Sequence, residues 1–178
     1  IIAVLVIALG LIGTRFYYSP YGNGYGLKVT TSDALGYYMY LPGVFIYEDV
    51  TKLDWLFEIE ETYHVTGGGR VYQIHEHDNG NYVFKYFGGV AILEIPFFAV
   101  AHQIALHSDY PPDGFSAPYQ WSIAFGNVIY GIISILILRL VLLRYFSDKI
   151  TALTLLLIVF ATNLIQYITV DSAQSHGY

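Results

Sequence analysis

Cysteine is absent from the 178 residues, which excludes disulfides, Cys-ligated zinc and thiol catalysis together. Charge is scarce as well. Asp, Glu, Lys and Arg make up 12% of the chain, about half the share of an ordinary soluble domain. Basic residues are the scarcest, 8 Lys and Arg against 14 Asp and Glu, and the net charge of −6 argues against nucleic acid, which requires basic stripes. Apolar residues fill the gap at 55%, and 18 tyrosines stand out among them.

The apolar excess is concentrated in runs. Residues 1–17, 121–143 and 150–170 are each close to the roughly 20 residues that cross a bilayer, and are expected to be spans. The first run lacks the basic flank and small-x-small site of a signal peptide, so a true span is expected there. Residues 18–120 between the first two runs form a long loop with 12 acids and 4 basic residues. The turn Arg144-Tyr145-Phe146-Ser147-Asp148-Lys149 is instead basic, which predicts that it is cytoplasmic. The loop 18–120 and the segment from Asp171 then face the periplasm or exterior, and the plasma (inner) membrane is the expected location. The sequence reads as the N-terminal part of a larger protein.

Within the loop, Tyr17, Tyr18, Tyr21 and Tyr25 crowd the exit of the first run, where a ring and its hydroxyl both suit the headgroup layer. Thr31 or Ser32 can cap a short helix over about 33–46, and Thr51 or Asp54 a second over about 53–63, ended by Gly67-Gly68-Gly69. Asn79-Gly80 between Tyr- and Val-containing runs predicts a β-hairpin over about 70–86. The segment 88–107 is apolar but carries Glu94, Pro96 and His102. A charge at mid-span is costly, and a crossing there would break the parity set by the basic turn, so a helix lying in the interface is expected.

Several side chains could carry chemistry. Asp33, at a helix start just beyond the first run, could serve as a general base, although an Asp there is also an ordinary cap. Tyr37 and Tyr40 follow at i+4 and i+7 and share its face. His75 and His77 point to one side of a strand and could hold zinc or a similar ion. The spacing fixes no third ligand, and polar residues collect at such turns by default. Arg70 and Lys85 could meet a phosphate or act as exposed counter-ions. Glu94 and His102 could line a polar groove, and Asp171, Ser175 and His176 share the side of Asp33.

Three segments carry a family resemblance: SDALGYYMYLP from Ser32, KYFGGVAILEIPFFAVAH from Lys85 and ATNLIQYITVDSAQSHGY from Ala161. With the first run and its long loop they resemble the GT-C membrane glycosyltransferases. That group includes protein O-mannosyltransferases, the aminoarabinose transferase of lipid A and Rgt-like bacterial enzymes. Phe87 departs from the pattern, standing where a proline is usual. The resemblance implies an all-α polytopic membrane protein, with a long outer loop of interfacial helices and a small β-hairpin. It implies transfer of a sugar from a polyprenyl-phosphate donor to a glycan, lipid or protein acceptor at the outer membrane face. Asp33 would be the catalytic base or a metal-associated carboxylate, since some members use a divalent metal ion. Tyr37, Tyr40, Lys85, Glu94, Asp171 and His176 are the expected substrate-binding residues, and His75 and His77 the metal candidates. The competing expectation is a non-catalytic membrane protein of the same architecture, a glycan flippase or transporter subunit or an interaction protein.

Overall fold

The computed structural model describes residues 1–18, 28–66 and 70–177, so Tyr21, Tyr25 and the glycines at 67–69 lie outside the described residues. In chain order the elements are α1 (Ile2–Tyr17), α2 (Asp33–Tyr38), α3 (Tyr40–Phe45), α4 (Asp54–Tyr63), β1 (Ile74–Glu76), β2 (Tyr82–Phe84), α5 (Gly89–Leu106), α6 (Ala117–Leu142) and α7 (Asp148–Phe160), followed by a π-helical turn, Gln166–Val170.

The expectation of an all-α polytopic membrane protein with spans at 1–17, 121–143 and 150–170 is corrected by the helix lengths. Among the described residues two helices are long and apolar enough to cross a membrane, α5 and α6. The helix in the first run has 16 residues and α7 has 13. The third run is largely apolar, with Thr162, Asn163 and Gln166 among its polar residues, and is not one helix. Thr162 donates its hydroxyl to the Ile158 carbonyl (2.6 Å) and accepts the Leu164 N–H (3.2 Å), and the chain resumes as the π-helical turn. Hydropathy measures composition and is blind to this break. Conversely α5, expected to lie flat, is as apolar as a crossing helix, and Glu94 is buried against protein rather than turned to lipid.

Two cores result. The upper one gathers α2–α4, α5 and the first half of α6 around Tyr38, Trp55, Phe98, Phe115 and Tyr119. The lower one is aliphatic and joins α1, the second half of α6 and α7 through Ile7, Leu11, Val128, Ile135, Leu155 and Val159. A single helix, α6, therefore belongs to both. Its lower half leaves Ile133, Ile137 and Leu140 exposed, and α5 leaves Ile92, Val100 and Ile104 exposed. Bare apolar faces of this kind mark surfaces that a membrane or a protein partner covers.

The residues 33–46 form two helices rather than one, meeting at Met39. Before α4, the Asp49 carboxylate accepts the N–H groups of Thr51, Lys52 and Leu53 (2.6–2.8 Å), closing the turn that leads into the helix. These bonds hold the Asp49 carboxyl below its usual range although desolvation opposes them. Asp113 does the same before α6, accepting the N–H groups of Phe115 and Ser116 on one oxygen and the Tyr63 hydroxyl on the other. The hairpin is antiparallel, with Ile74 opposite Phe84 and Glu76 opposite Tyr82. Gly80 in its turn has φ +72°, a conformation that favours glycine. Phe84 packs on Tyr40 and Tyr82 on Phe57, so one face of this small sheet is tied to the helices.

Candidate active site

Asp33 opens α2 from a strained approach. The preceding Ser32 has φ 54° and ψ −127°, a region costly for a residue with a side chain. It is held by two bonds, its N–H to the Val65 carbonyl (2.9 Å) and its carbonyl from Gln73 Nε2 (2.8 Å). The Asp33 carboxylate then meets the hairpin. Tyr86 and Tyr72 both donate their hydroxyls to Oδ1, at 2.6 and 2.7 Å. Among the described residues Oδ2 accepts no hydrogen bond, and the residue is exposed.

The electrostatics follow from that geometry. The Tyr86 hydroxyl, then that of Tyr72, lowers the Asp33 pKa, with smaller help from the charges of Lys85 and His176 and opposition from desolvation. Burial and then the bond to Asp33 push the Tyr72 phenol up to about 12, and raise Tyr86 in the same way. Asp33 is thus a firmly ionised carboxylate facing two phenols that keep their protons.

Close packing places Tyr86. Its ring meets Tyr37 edge-on at 4.8 Å. A Cβ on Gly36 would lie 2.1 Å from the Tyr86 ring, so only glycine leaves room for it. The chain after the π-helical turn supplies the other wall. Tyr37 Oη donates to Ser175 Oγ at 3.1 Å, and His176 packs on Tyr167 with ring centres 4.9 Å apart. Two buried side chains hold that wall. Asn127 of α6 donates to the carbonyls of Tyr167 (2.8 Å) and Ile168 (3.1 Å), and Arg15 of α1 donates to the Thr169 carbonyl and to Ser172 Oγ. A π-helical turn leaves carbonyls misaligned, and these donors satisfy them.

The fold therefore brings Asp33, Tyr37, Lys85 and His176 together and leaves other candidates apart. Tyr40 reaches the carboxylate only indirectly, donating to the carbonyl of Tyr86, whose hydroxyl binds Asp33. Glu94 is fully buried in α5, close enough for its charge to act on Tyr38. Asp171 is exposed and accepts from Gln166 Nε2 at 2.9 Å. His102 Nδ1 is paired with the Tyr119 hydroxyl inside the upper core. His75 and His77 are exposed on the hairpin, and no group of three or more His, Asp or Glu able to hold a metal ion occurs among the described residues.

Sequence reasoning passes over Tyr72, Tyr86, Gly36, Asn127 and Arg15. The two phenols are lost among 18 tyrosines, and nothing local distinguishes a tyrosine that will meet a carboxylate 39 or 53 positions away. The one available signal is the Asn-Gly turn, which folds both strand ends back toward α2. No family model, curated protein or solved structure matches this chain.

Proposed function

We propose that this protein transfers a sugar from a polyprenyl-phosphate donor to an acceptor hydroxyl at the outer face of a membrane, with Asp33 as general base. The observation that carries the reading is the Asp33 carboxylate itself. Two phenols orient it through Oδ1, while Oδ2 accepts no hydrogen bond among the described residues and the residue is open to solvent. In the transfer, the acceptor oxygen forms a bond to the anomeric carbon. The bond from that carbon to the phosphate oxygen breaks, and its electron pair leaves with the phosphate. The acceptor proton passes to Asp33 Oδ2. The lowered pKa keeps Asp33 ionised at the expense of basicity, so the proton passes late, once the forming bond has made the acceptor hydroxyl acidic.

The surroundings support a lipid-borne donor. An apolar groove of about 490 Å³ runs between α3 and the start of α5, bounded by Leu41, Val44, Phe45 and Ile92, and one of its walls is Tyr40. The Tyr40 hydroxyl holds the Tyr86 carbonyl, so the groove and the carboxylate share a structural member. The bare apolar faces of α5 and α6 suit a bilayer, and the acidic loop with the basic turn at 144–149 supports an outward site. The sequence resemblance to membrane glycosyltransferases points the same way.

One observation favours a second, non-catalytic reading. Both phenols bind one carboxylate oxygen, as a clamp fastening the hairpin to α2 would require. Sugar transfer by the membrane-reconstituted protein decides between them. Asp33→Asn, which keeps the shape, should lower transfer by about 10²–10⁴-fold. Transfer at the wild-type rate by a folded Asp33→Asn protein would sink the assignment of the base. Absence of transfer by the wild-type protein across several polyprenyl-phosphate donors would favour the clamp.

A further inference from the structure

The outer face of the hairpin carries a second feature. A cavity of about 620 Å³ opens there, walled by Arg70, Tyr72, His75, His77 and Lys85 over an apolar floor that includes Val83. In a chain of net charge −6, no Asp or Glu lines it among the described residues. The strand period explains the gathering. His75 and His77 lie two apart, as do Val83 and Lys85, so each pair projects to the same side, and His75 sits opposite Val83 in the register. Arg70 and Lys85 contribute charge, and the imidazoles contribute ring N–H donors. This is the donor set that receives an oxyanion.

We infer that this pocket binds the anionic group of the acceptor, a sugar carboxylate or a sugar phosphate. Its role as an acceptor subsite rests on the transfer reading above. Two observations select the acceptor over the donor. No residue of α5 or α6 lines the pocket, whereas a donor phosphate is tethered to a tail that stays with the membrane-facing helices. Tyr72 is a wall of the pocket and at the same time donates to Asp33 Oδ1, with Lys85 5.8 Å from its ring centre. A ligand seated against Tyr72 is therefore one phenol away from the general base. An anion there fixes which hydroxyl of the sugar faces Asp33, and so confers specificity on the transfer.

The test is calorimetric titration of the full-length protein in detergent micelles, without donor, using glucuronate, glucose 6-phosphate and neutral glucose as probes. At least one anionic sugar should bind about tenfold or more tightly than glucose, the worth of a charge-assisted pair. The better of the two anions identifies the group as carboxylate or phosphate. Arg70→Ala should abolish most of that preference, and His77→Asn should reduce it by roughly threefold. Equal binding of glucose and both anions overturns the proposal, as does a preference unchanged in folded Arg70→Ala and Lys85→Ala proteins. Measuring transfer and binding on the same wild-type protein separates the two claims. Anion preference in a wild-type protein that transfers no sugar condemns the transfer reading and leaves the anion pocket standing, and transfer without anion preference condemns the pocket alone.

Discussion

The two cores of this molecule are built from different materials. The lower core is Val, Ile and Leu from α1, α6 and α7, and its neighbours expose more of the same to the outside. The upper core is aromatic and pinned by polar bonds. Trp55 stacks on Tyr47 and donates its indole N–H to the Asp49 carbonyl, and Gln120 is bonded to the N–H groups of Val29 and Thr30, to Thr30 Oγ1 and to the Phe115 carbonyl. Aliphatic packing is adaptable and carries little orientation, whereas an aromatic core with directional bonds fixes side chains in one arrangement. The site at Asp33 sits on the upper region, where geometry is specified. The lower region reaches it through Arg15 and Asn127 and through Ile168 of the π-helical turn, which packs in the lower core.

Disrupting each region in turn tests that contrast. The largest expected effect is on activity. Asp33→Asn should cost about 10²–10⁴-fold in transfer with little change in thermal midpoint, while Leu155→Ala should leave the transfer rate of the folded fraction unchanged. On stability, Trp55→Ala should cost about 3–5 kcal/mol and Leu155→Ala about 2–5 kcal/mol, read by thermal unfolding in detergent. If the upper core is the more specified, Trp55→Ala should also lower transfer by the protein that remains folded.

Gly36→Ala is the sharper probe, because it changes one methyl group. The clash with Tyr86 should cost about 1–3 kcal/mol and free Asp33 of one phenol. Asn127→Leu leaves the Tyr167 and Ile168 carbonyls without that donor, at a cost of about 1–3 kcal/mol. Loss of transfer beyond the loss of folded protein would show that the lower region positions His176.

The smallest effect is on pH dependence. The folded-state pKa of Asp33 is lowered, chiefly by Tyr86 and then Tyr72, so its contribution to stability is fully present above the unfolded carboxylate pKa and fades as pH falls through the folded one. The acid limb of the transfer profile should follow the same group. Tyr86→Phe should move that limb to higher pH, and Tyr72→Phe should move it less. An acid limb that stays in place in both variants would show that Asp33 is not the titrating base.

Much of the architecture was legible from local pattern. Asn79-Gly80 marks the hairpin turn, and the apolar runs mark α5 and α6, because turn chemistry and composition act over a few residues. What failed was continuity. Residues 150–170 read as one span and fold as α7, a break at Thr162 and a π-helical turn. The helix expected over 33–46 folds as α2 and α3, meeting at Met39. Hydropathy averaged over a window smooths both interruptions, although Thr162 and Asn163 put two polar residues at the first.

By itself the sequence determined that Asp33 begins a helix beyond an apolar run, that acid gathers in 18–120 and base at 144–149, and that aromatic rings fill the segment between. Those are properties of composition and short spacing. Only the tertiary structure decided which tyrosines reach the carboxylate, that Gly36 leaves space for one of them, and that residues near 175 close the site from the far end of the chain. Those contacts join positions 39 to 138 apart, and no short-range preference selects one tyrosine over another across such distances. The packing of two unlike cores along a single helix makes that selection.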